Sequence, residues 1–292
     1  MFSGSLVPIA TPMRPDGSLD LAAWARLLDF HAANGTSGIV VGGTSGESAT
    51  LSDAEMLELT ERACAQLGQR IPVIAGAGSS STAATVARAQ RLSQLPIAAL
   101  LVVTPAYNRP PQEGLYRHYA AVAEVARVPV IAYNVPARTA VDMLPATVAR
   151  LAKLSAIIGI KEAVPQIARV RELVDCCGPD FVVLSGDDAT AREAMLSGAR
   201  GVISVTANVA PRAMAQMAAA AVSGDRAGAA ERDAPLRGLH RDLFIEANPI
   251  PTKWVLARMG LIGPGIRLPL TELASTYHAA VTASARAAGV AF

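Results

Sequence analysis

Lysine is the residue this chain most conspicuously lacks. Only Lys153, Lys161 and Lys253 stand among its 26 basic residues; the other 23 are arginine. Cysteine is equally scarce, with Cys176 and Cys177 adjacent and Cys64 far away, which makes neither a disulfide framework nor a zinc-ligand spacing. The four histidines, His31, His118, His240 and His278, are scattered through helical patterns, so no metal site is expected. No apolar run approaches the 18 or so residues of a membrane span. Basic blocks are absent too, and a net charge of +2 spread along the chain leaves no footprint for nucleic acid or a membrane surface. The N-terminus has no basic region and its apolar part is broken by Pro8 and Pro12, so it does not read as a signal peptide. A protein of the reducing cytoplasm is expected. Nucleotide and serine-hydrolase signatures are missing as well: there is no G-x-x-x-x-G-K-[ST] loop and no G-x-S-x-G elbow, and Gly76-Ala77-Gly78 lacks the third glycine of a dinucleotide fingerprint.

What is present is a core-rich chain of 292 residues, 51% hydrophobic and 17% charged. Its periodicity alternates between short apolar runs and helical patterns. Strands are expected over 6–10, 38–41, 72–75, 98–103, 128–133, 156–161, 181–185 and 201–205. Between them, Asp20 suits a helix N-cap, Ser52 with Glu55 forms a capping box, and Pro145 and Pro165 suit first-turn positions. Asp187 and Asp188 read better as a helix cap than as metal ligands. Eight strands, each followed by a helix, predict an α/β fold, a (β/α)₈ TIM barrel over 1–224, with a doubly wound sheet as the alternative. Residues 225–292 are expected to form a small C-terminal helical extension, with helices near 225–246, 252–259 and 270–288 and a bend at Pro235.

The run Ile157-Ile158-Gly159-Ile160-Lys161-Glu162 reads as a buried strand carrying a lysine at its C-terminal end. Alone, it favours a lysine that snorkels to solvent. Active sites of such barrels, however, form at the C-terminal strand ends. Walking those ends gives Gly43–Glu47, Thr104–Asn108, Tyr133–Thr139, Lys161 and Ser185–Asp188. Hydroxyls, phenols, an arginine and a lysine therefore converge on one mouth. Unlike arginine, a desolvated lysine can lose its proton and act as a nucleophile, which makes Lys161 a candidate Schiff-base former. The glycine-rich turn Gly42–Gly46 can hold a carboxylate on its amides. Tyr133 can relay a proton, and Arg138 can bind a substrate carboxylate.

Those motifs, together with Asn248–Trp254, resemble the dihydrodipicolinate synthase/N-acetylneuraminate lyase family along the whole chain. The resemblance implies a pyruvate-dependent Schiff-base lyase without metal or organic cofactor. In its synthase branch pyruvate condenses with aspartate semialdehyde in diaminopimelate and lysine biosynthesis. Lys161 would form the Schiff base, with Tyr133, Thr44 and Tyr107 as proton relay, Tyr107 reaching into a neighbouring subunit's site. Ser45, Gly186 and the Ile203 carbonyl would bind pyruvate, and Arg138 the second substrate's carboxylate. A homo-oligomer is implied, a dimer or a tetramer built as a dimer of dimers, with small-molecule substrates as its other partners. Ser45 stands where the family usually has threonine, and Ala106 where it usually has tyrosine. Ser80, Ala84 and Ala106 replace the asparagine, glutamate and tyrosine of lysine-inhibited members, so weak or absent lysine inhibition is expected. A sugar-acid or hydroxyproline-pathway aldolase and a non-catalytic keto-acid-binding paralogue are the alternatives.

Overall fold

The computed structural model describes residues 2–68 and 70–291. Eight parallel strands close into a barrel in chain order. They are β1 Gly4–Pro8, β2 Gly38–Val41, β3 Val73–Gly76, β4 Ala99–Val103, β5 Val130–Asn134, β6 Ile157–Glu162, β7 Val182–Ser185 and β8 Gly201–Ile203. The ring of helices is α1 Leu21–Ala33, α2 Asp53–Leu67, α3 Thr82–Leu92, α4 Gln112–Val125, α5 Pro136–Thr139, α6 Pro145–Leu151, α7 Ile167–Cys177, α8 Ala191–Met195 and α9 Pro211–Val222. The chain then continues through α10 Arg226–Asp233, α11 Arg237–Asp242, α12 Ile250–Arg258 and α13 His278–Ala287. This is the expected TIM barrel with helices following it.

The strands are apolar throughout because both of their faces are covered. Leu6, Val40, Ile74, Leu101, Ile131 and Leu184 fill the barrel interior. Their neighbours along the strands, such as Val7, Ile39, Val41, Val130 and Ala132, pack in the layer between strands and helices. Helix α1 turns Trp24, Leu27 and Leu28 into that layer, each contributing roughly 1.5–3 kcal/mol by burial. Asp20 caps it by accepting from the Ala23 amide, and the Ser52–Glu55 capping box opens α2 as expected.

One irregularity decides the site. Between β5 and β6 the register slips, so that Val130 pairs with Ile157 but Ile131 pairs with Gly159. Ile158 is the extra residue, and the strand's alternation is broken there: Ile157 and Ile160 both join the outer layer, while Ile158 faces the interior cluster. A bulge of this kind re-aims every later side chain, and Lys161 is thereby turned inward. Gly159 allows the close approach, since a Cβ there would lie 2.4 Å from the Val182 carbonyl oxygen.

Three local expectations are corrected. Pro165 precedes the cap of α7 (Gln166) instead of starting the helix. Asp187 and Asp188 do not cap α8, whose N-cap is Thr190. Asp187 accepts instead from the Thr190 amide and hydroxyl, and Asp188 accepts from the amide of Thr206, tying the loop after β7 to the loop after β8. The helix expected from 270 begins only at His278, after a short 3₁₀ turn at Ser275–Tyr277. Around Pro235, by contrast, the expected bend is present as a 3₁₀ segment between α10 and α11.

Candidate active site

A cleft of about 400 Å³ opens at the C-terminal ends of the strands. Lys161 projects into it from β6, only 5% exposed. Tyr133 is its direct register partner on β5, and the Lys161 Nζ lies 4.2 Å from the centroid of the Tyr133 ring. Among the described residues no carboxylate comes within ion-pair distance of this ammonium. The residue just after β7 leaves room for the lysine stem: a Cβ on Gly186 would sit 3.0 Å from Lys161 Cε.

Opposite the lysine, Thr44 and Ser45 line the cleft from a 3₁₀ turn, Thr44–Gly46, at the end of β2. The first amides of a helical turn have no partner inside it, which makes the turn a natural carboxylate cradle. Arg138 reaches the rim from α5, and its Nη2 lies 3.4 Å from the Asn248 carbonyl oxygen. The cleft therefore offers an amine at its floor, a phenol beside it, a 3₁₀ turn on one wall and a guanidinium at its mouth.

Six of the eight residues singled out from sequence meet here: Lys161, Tyr133, Thr44, Ser45, Arg138 and Gly186. Ile203 does not line the cleft; it is buried on β8, within the barrel-interior cluster. Tyr107 is not brought to this cleft by its own chain. It is 93% exposed on the loop after β4, with a left-handed backbone (φ 73°) that carries it outward. Phe244 was missed, and Asn248 was singled out only as part of the Asn248–Trp254 motif, with no role assigned to it. Both line the cleft from the C-terminal segment, and Asn248 Nδ2 donates to Ser45 Oγ at 3.0 Å. Nothing in their local pattern tells of a partner some 200 positions away.

Behind the lysine, Glu162 faces the outer layer, as alternation along the strand end predicts. Its buried carboxylate accepts from the Val164 amide at 2.8 Å and from Asn134 Nδ2 at 3.1 Å, with Arg169 Nη1 at 3.5 Å. Asp142 shares both Asn134 and Arg169 with it. Burial dominates and pushes the Glu162 carboxyl up from 4.5 to about 7 against these partners. The folded protein thus holds this proton to higher pH than the unfolded chain does. The stability it contributes is complete below about pH 4.5 and is lost as pH rises through 7, amounting to about 3 kcal/mol. Glu162→Gln removes that titration. Urea unfolding of parent and variant at pH 4.5 and 8 should show their stability difference changing by about this amount; an unchanged difference would show that folding does not raise the Glu162 carboxyl.

Comparison with known proteins identifies the family. The model of the dihydrodipicolinate synthetase family matches residues 1–288. The 4-hydroxy-tetrahydrodipicolinate synthase of Methylococcus capsulatus is 54% identical over 290 residues, 99% of this chain and all of that one. The dihydrodipicolinate synthase of Acinetobacter baumannii, solved in complex with pyruvate, superposes with a TM-score of 0.98 at 44% identity, covering both chains completely. That of Cyanidioschyzon merolae, solved with lysine bound, gives 0.96 at 32% identity over 99% of each chain. Over essentially its whole length the chain belongs to the dihydrodipicolinate synthetase family, and it is an enzyme of the lyase class.

Proposed function

We propose that this enzyme condenses pyruvate with aspartate semialdehyde to give 4-hydroxy-tetrahydrodipicolinate, through a Schiff base on Lys161, in diaminopimelate and lysine biosynthesis in the cytoplasm. The observation that carries the proposal is the burial of Lys161 against the Tyr133 ring, in one cleft with the Thr44–Ser45 turn and Arg138. The pyruvate carboxylate sits on the turn, which places its keto carbon over the lysine amine. Attack by the amine and loss of water give the imine, and Tyr133 moves the proton that leaves and returns during these steps. Loss of a methyl proton then gives an enamine, whose terminal carbon attacks the aldehyde. The second substrate's own amine finally displaces Lys161, closing the ring and restoring the free enzyme. One water is released overall.

Borohydride reduction in the presence of pyruvate, followed by mass mapping, tests the first half: a single adduct on Lys161 is expected, and none on Lys153 or Lys253. Turnover of aspartate semialdehyde well above that of sugar acids tests the second. Arg138 carries the preference for an acceptor with a carboxylate. Arg138→Leu should raise the KM for aspartate semialdehyde by about 30-fold, the worth of a charge-assisted hydrogen bond of about 2 kcal/mol. Pyruvate trapping on Lys161 should be unchanged, and a loss of trapping would move Arg138 to the pyruvate side.

The loop after β4 supports the proposal of a homo-oligomer, since it presents Tyr107 outward, where a neighbouring subunit's cleft can receive it. Lysine should inhibit the enzyme weakly or not at all. Ser80, Ala84 and Ala106 offer no acid for its amine, and Asp53, which stands where some lysine-inhibited members have a pocket-lining histidine, is already committed to Arg88 and Arg91. Initial rates should be nearly the same with and without millimolar lysine; inhibition at submillimolar concentration would overturn this.

A further inference from the structure

Lys253 has no part in the chemistry above, yet it is as deeply buried as Lys161. Lys253 lies in the opening turns of α12, its side chain 3% exposed, in an ion pair with Glu47, whose side chain is fully buried. Such pairs are weak evidence for stability, because well-packed apolar residues in their place often do as well or better. The position of Glu47 suggests another use. It closes the Thr44–Gly46 turn in a left-handed conformation (φ 57°, ψ 38°), its amide bonded to the Thr44 carbonyl. That backbone is strained for any residue with a Cβ and persists where surroundings enforce it. Here the surroundings are the C-terminal segment. One Glu47 oxygen meets Lys253, and the other accepts the Arg267 amide at 3.2 Å. Two residues earlier in the same turn, Ser45 is held by Asn248.

We infer that Lys253 is a positioning residue for the keto-acid carboxylate, holding the Thr44–Ser45 turn in its binding geometry through Glu47. The inference rests on the reading of that turn as the carboxylate site. Two effects combine. The ion pair fixes the strained residue that shapes the turn, so the donors stay aimed at the carboxylate. The ammonium also balances a buried anion that would otherwise repel the incoming carboxylate a few residues away. Burial pulls the Lys253 ammonium downward, and the Glu47 carboxylate opposes that pull.

The test is the pair Lys253→Met and Glu47→Gln/Lys253→Met, with rates expressed per Lys161 site trappable by pyruvate and borohydride. Lys253→Met is expected to raise the KM for pyruvate about tenfold or more, with kcat at saturating pyruvate within about threefold and the KM for aspartate semialdehyde within about twofold. The double variant, free of an unpaired buried charge, should recover thermal stability while its pyruvate KM stays raised. A parent KM for pyruvate in either folded variant overturns the inference, since a merely structural pair would change only the number of active sites. Should neither variant fold, hydrogen exchange on the parent decides: pyruvate should slow exchange in α12 but not in α13, and unchanged exchange in α12 overturns it. A parent enzyme with no pyruvate adduct on Lys161 identifies failure of the underlying functional reading before any substitution is made.

Discussion

Lys161→Arg is expected to abolish turnover, lowering kcat by at least about 10³-fold. The substitution keeps a positive charge and much of the stem in the cleft, so the field around pyruvate is largely preserved. What it removes is a nitrogen able to shed its proton and form a bond to carbon, because a guanidinium stays protonated throughout the usable pH range. The two remaining lysines cannot substitute. Lys153 is exposed, and Lys253 is engaged by Glu47. Mass mapping after borohydride treatment should therefore find no pyruvate adduct at all in this variant. An adduct elsewhere, or residual turnover above a few per cent, would mean that the covalent step belongs to another group. The fold should survive, because among the described residues Lys161 has no hydrogen-bonded or ion-paired side chain that its loss would leave unpaired, and its amine opens into the cleft.

Tyr133→Phe should produce the second-largest loss, about 10²- to 10³-fold in kcat, within the range a positioned acid or base contributes. The ring itself is structural: it belongs to the apolar cluster inside the barrel and lies against the lysine ammonium. Phenylalanine keeps both of those contacts and deletes only the hydroxyl. Thermal stability and the KM for pyruvate should accordingly stay near the parent's while the rate falls. Slow but complete borohydride trapping would place the lost step in proton transfer around imine formation. Trapping at the parent's speed, with turnover still reduced, would move the hydroxyl's role to a later proton transfer.

The barrel was largely legible beforehand because its signals are local. Eight short apolar runs, each followed by a helix, appear within a residue or two of their expected places, and Asp20 and Ser52 with Glu55 cap where their chemistry predicts. The site was legible as far as it lies on strand ends. Lys161, Tyr133, Thr44, Ser45, Arg138 and Gly186 follow directly from reading those ends on a parallel barrel. Tyr107 shows where that reading stops: its loop is at the correct end, but a left-handed backbone turns the phenol away.

The sequence alone determined that the chain forms strands apolar on both faces, since such strands are stable only when a barrel interior and a ring of helices cover both sides. It also determined that a scarce lysine stands at a strand end. Only the tertiary structure decided which way that lysine faces, because a strand apolar on both sides carries no parity and the bulge at Ile158 sets it. The tertiary structure likewise decided that Asn248, Lys253 and Arg267 hold the turn at Ser45 and Glu47 from about 200 residues away. Pairings of that kind arise when a closed barrel brings distant segments to one mouth, and no local periodicity encodes them.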